Sequence, residues 1–526
     1  MTGETEHEHA DDSAPAALTG SAVTGSAVTG SADSGSAITA SEVSDLRRRV
    51  AGPVVVPGDS GFEDEVSAWI RTFDHTPQVV VGATSSEDVV AAVNFAREHA
   101  LPVRVQATGH GSHASITDGV LVVTKRMTAV AVDADAQTAT IGAGAQWGAV
   151  IAAAAEVGLA PIAGSSPTVG AVGYLLGGGL GPLARSHGFS SDYIESVELV
   201  TADGSQVTAS ATDNPELFWA LRGGKAGFGV VTQLRIRLVA LDTLYAGSLM
   251  FDTDDIETAL RGWAEYTTTA ESTVTTSAAI VRMPDIPVIP EPIRGRTLLA
   301  IRFAYTGGDA QHPGTNDTAA KDMPAKDTAA RDIAAIDAAT KDTVTKDTAA
   351  IVAEGERLAS PLRAMAPVYL DSLGALPAAE IARIHNDPTE PTVGWTLGRM
   401  FTSIDQDLVD ALLDRVGAGR EAPYVAIEIR HVGAATEADV PGGSAVGGRG
   451  ARYTLSLIGA PNPALFAEVL PKHSSALLDE LSPWLSAETT VNFLGYPGAG
   501  AWSAETRERL QRVRTEVDPD GLFVLE

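Results

Sequence analysis

The chain runs to 526 residues, 44% of them apolar and 20% charged, enough for two domains around ordinary hydrophobic cores. Its 37 Lys and Arg face 67 Asp and Glu, a formal charge of -30 that repels phosphate backbones and anionic lipid, so neither nucleic acid nor a membrane is expected as a partner. With no cysteine at all, disulfides, thiolate zinc sites, iron–sulfur clusters and thiol nucleophiles are excluded.

The N-terminus is low complexity over residues 1–41, with a Thr-Gly-Ser-Ala-Val unit repeated across Thr19–Val28. Such small-residue sequence buries too little to offset chain entropy, and a disordered tail is expected over 1–45. Met1–Ala10 is acidic and polar, unlike a secretory signal, and no run of 18 apolar residues occurs, so a cytoplasmic location is expected.

From residue 46 to 240 strands and helices alternate. Gln78–Gly82 reads as a Val-rich strand. Thr84 and Glu87 are spaced as a capping box, and Val89, Val90, Val93 and Ala96 then share a helical face. Pro102–Ala107 reads as a returning strand, followed by strands at Val120–Thr124, Ala129–Val132, Thr138–Gly142, Val197–Thr201 and Gly229–Val239. Residues 241–486 carry longer strands (Leu298–Tyr305, Tyr424–His431, Tyr453–Ile458) and helices (Ile256–Thr267, Gln406–Val416, Leu465–Leu481), which suits an antiparallel sheet backed by helices. Within them, 309–350 is a low-complexity insertion in which Asp recurs every fifth residue from Asp317 to Asp347. A period of five makes no continuous apolar face, so this segment is expected to be solvated. Residues 487–526 close the chain with a charged helix at Ala504–Val517. The fold class is α+β.

Two stretches carry chemistry. Thr108-Gly109-His110-Gly111-Ser112 follows a strand, and its glycines let backbone N–H groups approach an anion where a Cβ would obstruct. Taken alone, a turn histidine without function explains His110 equally well. The second stretch, Gly164–Gly181, holds seven glycines in 18 residues beside Val, Leu and Tyr, which no flexible linker would carry. Backbone there should contact something bulky, such as a pyrophosphate and a planar ring. Gly224-Lys225 lacks the following Ser or Thr of a Walker loop, and Gly142 and Gly144 lack the remaining positions of a dinucleotide fingerprint. No G-x-S-x-G elbow or H-E-x-x-H pair appears, and no metal site is expected.

Thr108–Ser112, Gly164–Gly181, Phe218–Gly224, Phe228–Thr232 and Asp518–Phe523 resemble the berberine-bridge-enzyme-like FAD-linked oxidases of the vanillyl-alcohol-oxidase superfamily. The resemblance covers nearly all of residues 46–526 and is strongest over 77–240. It implies a PCMH-type FAD-binding domain of two subdomains over 46–240, a substrate domain over 241–486, and a segment, 487–526, returning to the first. It further implies a covalent bond from His110 to the FAD ring system. Thr108, Gly109, Gly111 and Ser112 would contact the pyrophosphate, and Ser165, Val169, Gly170, Gly173, Gly178 and Gly179 would line the cofactor. Val231 and Asn492 would lie near its ring. Ser166 stands where many members have a second linking cysteine, so a single attachment is implied. Thr490-Val491-Asn492-Phe493 keeps the Asn of a family segment but loses both of its tyrosines.

The implied reaction moves a hydride from an alcohol, sugar or amine carbon of a small-molecule substrate to FAD and then to O2, and Val169 matches the residue that accompanies oxygen reactivity. A flavin dehydrogenase with another acceptor and a non-catalytic FAD-binding protein are the alternatives. Candidate proton acceptors are Tyr424, Glu428 and Tyr453, with Arg430 beside them. In a regular strand Tyr424, Glu428 and Arg430 share a face, although surface or core roles suit all of these residues as well.

Overall fold

Valine-rich runs build the first sheet. The computed structural model describes residues 38–308, 313, 333–495 and 500–524, with the backbone alone over 333–347. Strands β1 (Val54–Val55), β2 (Val79–Gly82), β3 (Val103–Gln106) and β4 (Val120–Val123) lie in the order β1-β2-β4-β3. β4 runs parallel to both β2 and β3, so the strand–helix–strand unit read from sequence holds a third strand between its two. Its helix, Ser86–Glu98, is capped by Ser85 rather than Thr84. Thr84 instead donates to the Asp88 carboxylate at 2.6 Å, which also accepts the amides of Ala51 and Gly52.

The boundary expected for the tail is corrected. A helix spans Ala40–Arg49, closed by a capping box from Thr39 and Glu42, and it buries Val43 and Leu46 in the same core as the first sheet. That capping pair was the available signal, since two orphan helix N–H groups are satisfied at once. Residues 1–37 lie outside the described residues.

Strands β5 (Val130–Asp133), β6 (Thr138–Gly142), β7 (Leu159–Ala160), β8 (Ile194–Val200), β9 (Gln206–Ser210), β10 (Val230–Arg237) and β11 (Val239–Ala240) follow. Five of them form an antiparallel sheet in the order β5-β6-β10-β8-β9, and β7 pairs with β11. Helices Trp147–Ala155 and Pro215–Leu221 pack against this sheet through Trp147, Val150, Phe218 and Trp219.

The third sheet is antiparallel and the largest. β12 (Thr243–Phe251), β13 (Val274–Arg282), β14 (Thr297–Tyr305), β15 (Leu370–Asp371), β16 (Gly374–Pro377), β17 (Thr396–Phe401), β18 (Tyr424–His431) and β19 (Tyr453–Gly459) make eight strands in the order β15-β12-β14-β13-β18-β19-β17, with β16 on the edge of β12. Helices Ile256–Thr267, Ile333–Arg363, Gln406–Val416 and Val469–Glu480 back it, burying Trp263, Leu358, Leu408 and Leu477 on one side. The helix expected from Leu465 starts four residues later, after a 3-10 turn at Pro463–Leu465. Of the low-complexity insertion, residues 309–312 and 314–332 lie outside the described residues; from Ile333 the chain is helical.

The opposite face of this sheet meets the glycine-rich half of the molecule. The Arg185 amide and guanidinium donate to Thr275 and to the Val274 carbonyl on β13, and Arg430 on β18 donates to the Leu180 carbonyl at 3.0 Å. At the C-terminus Phe523 bridges to Val103 of β3, with the Val103 amide donating to the Leu522 carbonyl at 2.8 Å. The fold is α+β. Among the described residues no helix is long and apolar enough to cross a membrane, and no group of His, Asp or Glu is arranged to hold a metal.

Candidate active site

The loop leaving β3 is fixed by its neighbour strand of chain. The Trp69 and Ile70 amides donate to the Thr108 and Gly109 carbonyls at 2.8 and 3.2 Å. Gly109 takes a φ of +73°, and a Cβ there would stand 2.4 Å from the Ala68 Cβ, so only glycine permits this approach. The next residue, His110, stacks on Trp69 with ring centroids 4.3 Å apart and planes 17° from parallel.

Both nitrogens of the imidazole meet threonine hydroxyls. Nδ1 lies 2.9 Å from Thr108 Oγ1, and Nε2 lies 3.2 Å from Thr168 Oγ1. Thr108 Oγ1 also accepts the Gly170 amide at 3.3 Å, and Thr168 Oγ1 is 3.2 Å from Ser166 Oγ. Burial pushes the His110 pKa down to about 4, so the ring is neutral at neutral pH and keeps an unprotonated nitrogen. The two sequence stretches singled out for glycine content are thus joined through one imidazole.

His110 faces a cavity of about 510 Å³, whose wall includes Thr108, Thr168, Trp69, Lys125, Gly144 and Gln146. That volume is in the range of small-molecule and cofactor sites. At Gly111 and Gly173 a Cβ would meet open space, so these glycines leave room rather than relieve a clash. Gly144, set aside as part of a dinucleotide fingerprint, does stand in the wall; a Cβ there would collide with the Thr124 carbonyl at 2.1 Å. A planar, phosphorylated cofactor fits the donors present: backbone-rich loops, two cations and a neutral imidazole.

Of the expected cofactor residues, Thr108 and His110 stand in this wall and the others do not. Ser112 donates its amide back to the Gly109 carbonyl at 3.4 Å, and Val169 accepts the Trp147 amide at 3.0 Å. Ser165 Oγ donates to Asp387 at 2.6 Å. Lys225 Nζ bridges the Gly173 carbonyl and Asn492 Oδ1, each at 2.8 Å, while Asn492 Nδ2 donates to the Tyr174 carbonyl at 2.7 Å. Gly178 and Gly179 have φ of +97° and +79°, and a Cβ on Gly179 would lie 2.4 Å from the Tyr174 ring. Val231 is buried on β10 within the apolar core of the second sheet and is absent from the cavity wall.

For the proton acceptors the shared-face expectation is corrected. β18 carries a register shift between Tyr424 and Ala426 in its pairing with β19. This irregularity turns Tyr424 onto the side of Ile427 and Ile429, where it packs in the core under the helices and meets His473 Nδ1 at 3.2 Å. Tyr453 joins the same core and meets Thr267 Oγ1 at 2.9 Å. Burial raises the pKa of both phenols. Neither tyrosine stands in the wall of the His110 cavity, and neither do Glu428 and Arg430.

Glu428 and Arg430 occupy the other face, turned toward the glycine-rich segment. Glu428 lies 3.1 Å from Arg430 and 3.0 Å from Arg302, accepts from Ser277 at 2.8 Å, and stands 3.5 Å from His385 Nε2. Burial opposes its ionisation, but the Arg430 and Arg302 charges outweigh this and hold the carboxyl well below its usual range. Burial, with the same two arginines, lowers the His385 pKa against the opposing pull of Glu428. Arg302, His385, Trp69 and Lys125 escaped sequence reasoning because each sits in an element whose partners lie far away in the chain.

Residues 77–210 match the FAD binding domain family, so this region is an FAD-binding domain. The (R)-6-hydroxynicotine oxidase of Paenarthrobacter nicotinovorans is 34% identical over 194 residues, covering 36% of this chain and 42% of that protein. This chain therefore matches less than half the length of that relative. Among solved structures, 6-hydroxy-D-nicotine oxidase from Arthrobacter nicotinovorans superposes with a TM-score of 0.71 at 20% identity, over 90% of this chain and 96% of that one. Glucooligosaccharide oxidase from Acremonium strictum, described with a 6-S-cysteinyl, 8α-N1-histidyl FAD, gives 0.67 at 16% identity over 91% and 97% of the two chains. At these identities the structural likeness shows the fold.

Proposed function

We propose that this chain is an FAD-dependent oxidase of a small molecule, with its flavin bonded covalently to His110 and to no other residue. The observation that carries the reading is the neutral imidazole of His110, oriented by Thr108 and Thr168 and stacked on Trp69 at the wall of a cofactor-sized cavity. The match of residues 77–210 to an FAD-binding domain supports the cofactor. Ser166, in place of a thiol, leaves one attachment point.

FAD held here would supply a two-electron acceptor for a hydride from a substrate carbon, with O2 as the final oxidant and H2O2 as the product. The protein's part is positional. In this reading residues 46–240 would hold the cofactor, 487–526 would return to that domain, and 241–486 would present the substrate from the sheet face that carries Glu428 and Arg430. Glu428 is the carboxylate on that face that would accept the proton leaving the adjacent substrate O–H or N–H, the two arginines that keep it ionised also making it a weak base. The relatives' names, a hydroxynicotine oxidase and a glucooligosaccharide oxidase, point to an alcohol, sugar or amine as substrate class.

A panel of alcohols, sugars and cyclic amines, read by anaerobic bleaching of the flavin and then by reoxidation in air, tests this. Bleaching followed by rapid reoxidation with stoichiometric H2O2 is expected. Sluggish reoxidation would make the protein a dehydrogenase with another acceptor. No bleaching by any member of the panel would favour a non-catalytic FAD-binding protein.

A further inference from the structure

The cavity wall contains two cationic side chains, Lys125 and Arg71, and no carboxylate, in a chain of net charge -30. We propose that Lys125 and Arg71 form a cation pair that binds the diphosphate of the cofactor, an inference that rests on reading the cavity as an FAD site. The residues expected to hold the diphosphate offer backbone N–H groups and hydroxyls alone, which leaves two negative charges to be countered in a partly desolvated site.

Lys125 can supply one of them because the carboxylate it pairs with is shared with a second cation. Its nearest acid, Glu65, is buried and already gripped by Arg126 through two hydrogen bonds of 2.6 Å each. Lys125 Nζ approaches the same carboxylate at 3.3 Å and donates to the Asp64 carbonyl at 2.9 Å. One carboxylate thus serves two cations, and the group keeps a net positive charge at the cavity edge. Arg71 is anchored differently. Its amide donates to the Thr392 carbonyl at 2.8 Å, and its guanidinium donates to Ser67 Oγ, itself in the wall. The first position comes from the turn after β4, the second from the segment beside the His110 loop, so the pair grips from two elements.

The test uses full-length His110→Ala protein stripped of flavin, which removes the covalent tether and leaves binding reversible. Dissociation constants for FAD and for riboflavin, which has no phosphate, are measured by flavin fluorescence with and without Lys125→Met and Arg71→Met. Each Met change is expected to weaken FAD by about tenfold or more and to leave riboflavin within twofold, with Lys125→Arg restoring FAD affinity. Unchanged FAD affinity, or an equal loss for riboflavin, would overturn the proposal. Should a Met variant fail to fold, salt titration of the His110→Ala protein decides: FAD affinity must fall with ionic strength while riboflavin affinity does not. A His110→Ala protein that binds neither flavin would instead remove the FAD reading beneath the proposal.

Discussion

Thr168 Oγ1 stands 3.2 Å from His110 Nε2, although 58 residues separate the two in the chain. With Thr108 on the other nitrogen, this contact sets the ring's plane and tautomer, since a neutral imidazole donates to one hydroxyl and accepts from the other. Thr168→Val removes one hydroxyl without changing volume much. We expect it to lower stability by about 1 kcal/mol in denaturant melts and to reduce the fraction of acid-stable flavin, with total bound FAD retained. An unchanged acid-stable fraction would show that Thr168 does not orient the ring.

The two glycines flanking His110 should respond oppositely to alanine. Gly109→Ala places a methyl group 2.4 Å from the Ala68 Cβ at a φ of +73° and should destabilise the folded protein by about 1–3 kcal/mol. Gly111→Ala meets open space and has no such φ, so the flavin-free protein should keep its melting temperature while FAD binding weakens. Loss of stability at Gly111, or full tolerance at Gly109, contradicts the geometry.

Acid should weaken the fold before most carboxylates titrate. Burial holds His187 near a pKa of about 4, against an ordinary 6.5, and burial plus Arg185 and Arg452 lower His431 to about 2. A depressed histidine is neutral when folded and takes a proton when unfolded, so stability is lost as pH falls below 6.5. For His187 the loss is complete near pH 4. Each group contributes a slope of up to about 1.4 kcal/mol per pH unit in that window. His187→Gln should flatten the dependence of stability on pH between 6.5 and 5, and an unchanged slope would show that His187 is protonated in the fold.

Tyr424→Phe and Tyr453→Phe should each leave turnover within about twofold and lower stability by about 1 kcal/mol, because each hydroxyl serves a hydrogen bond in the helix-backed core. A tenfold loss of turnover in either would restore a tyrosine as proton acceptor. Glu428→Gln should lower turnover while flavin stays attached.

Much of this was legible in the chain. Ile256–Thr267, Gln406–Val416 and Ala504–Val517 are amphipathic with polar caps, and the helices run where periodicity put them. β13 was invisible because Val274–Val281 is buried on both faces and shows no alternation. The candidate site divided along the same line. Thr108 and His110 sit in a glycine-marked loop and were found from local sequence. The face of Tyr424 depended on one irregular pairing with β19, which no period-two reading can anticipate. Lys125, Trp69 and His385 gain their places only through tertiary contact.

The most direct measurement is acid precipitation of the purified protein, washing, and the visible spectrum and mass of the redissolved polypeptide. Flavin that stays with the chain, adding the mass of one FAD, and that is released by His110→Ala, is the outcome expected from a single histidyl attachment. Yellow supernatant from the unmutated protein, or retained flavin in His110→Ala, would contradict it.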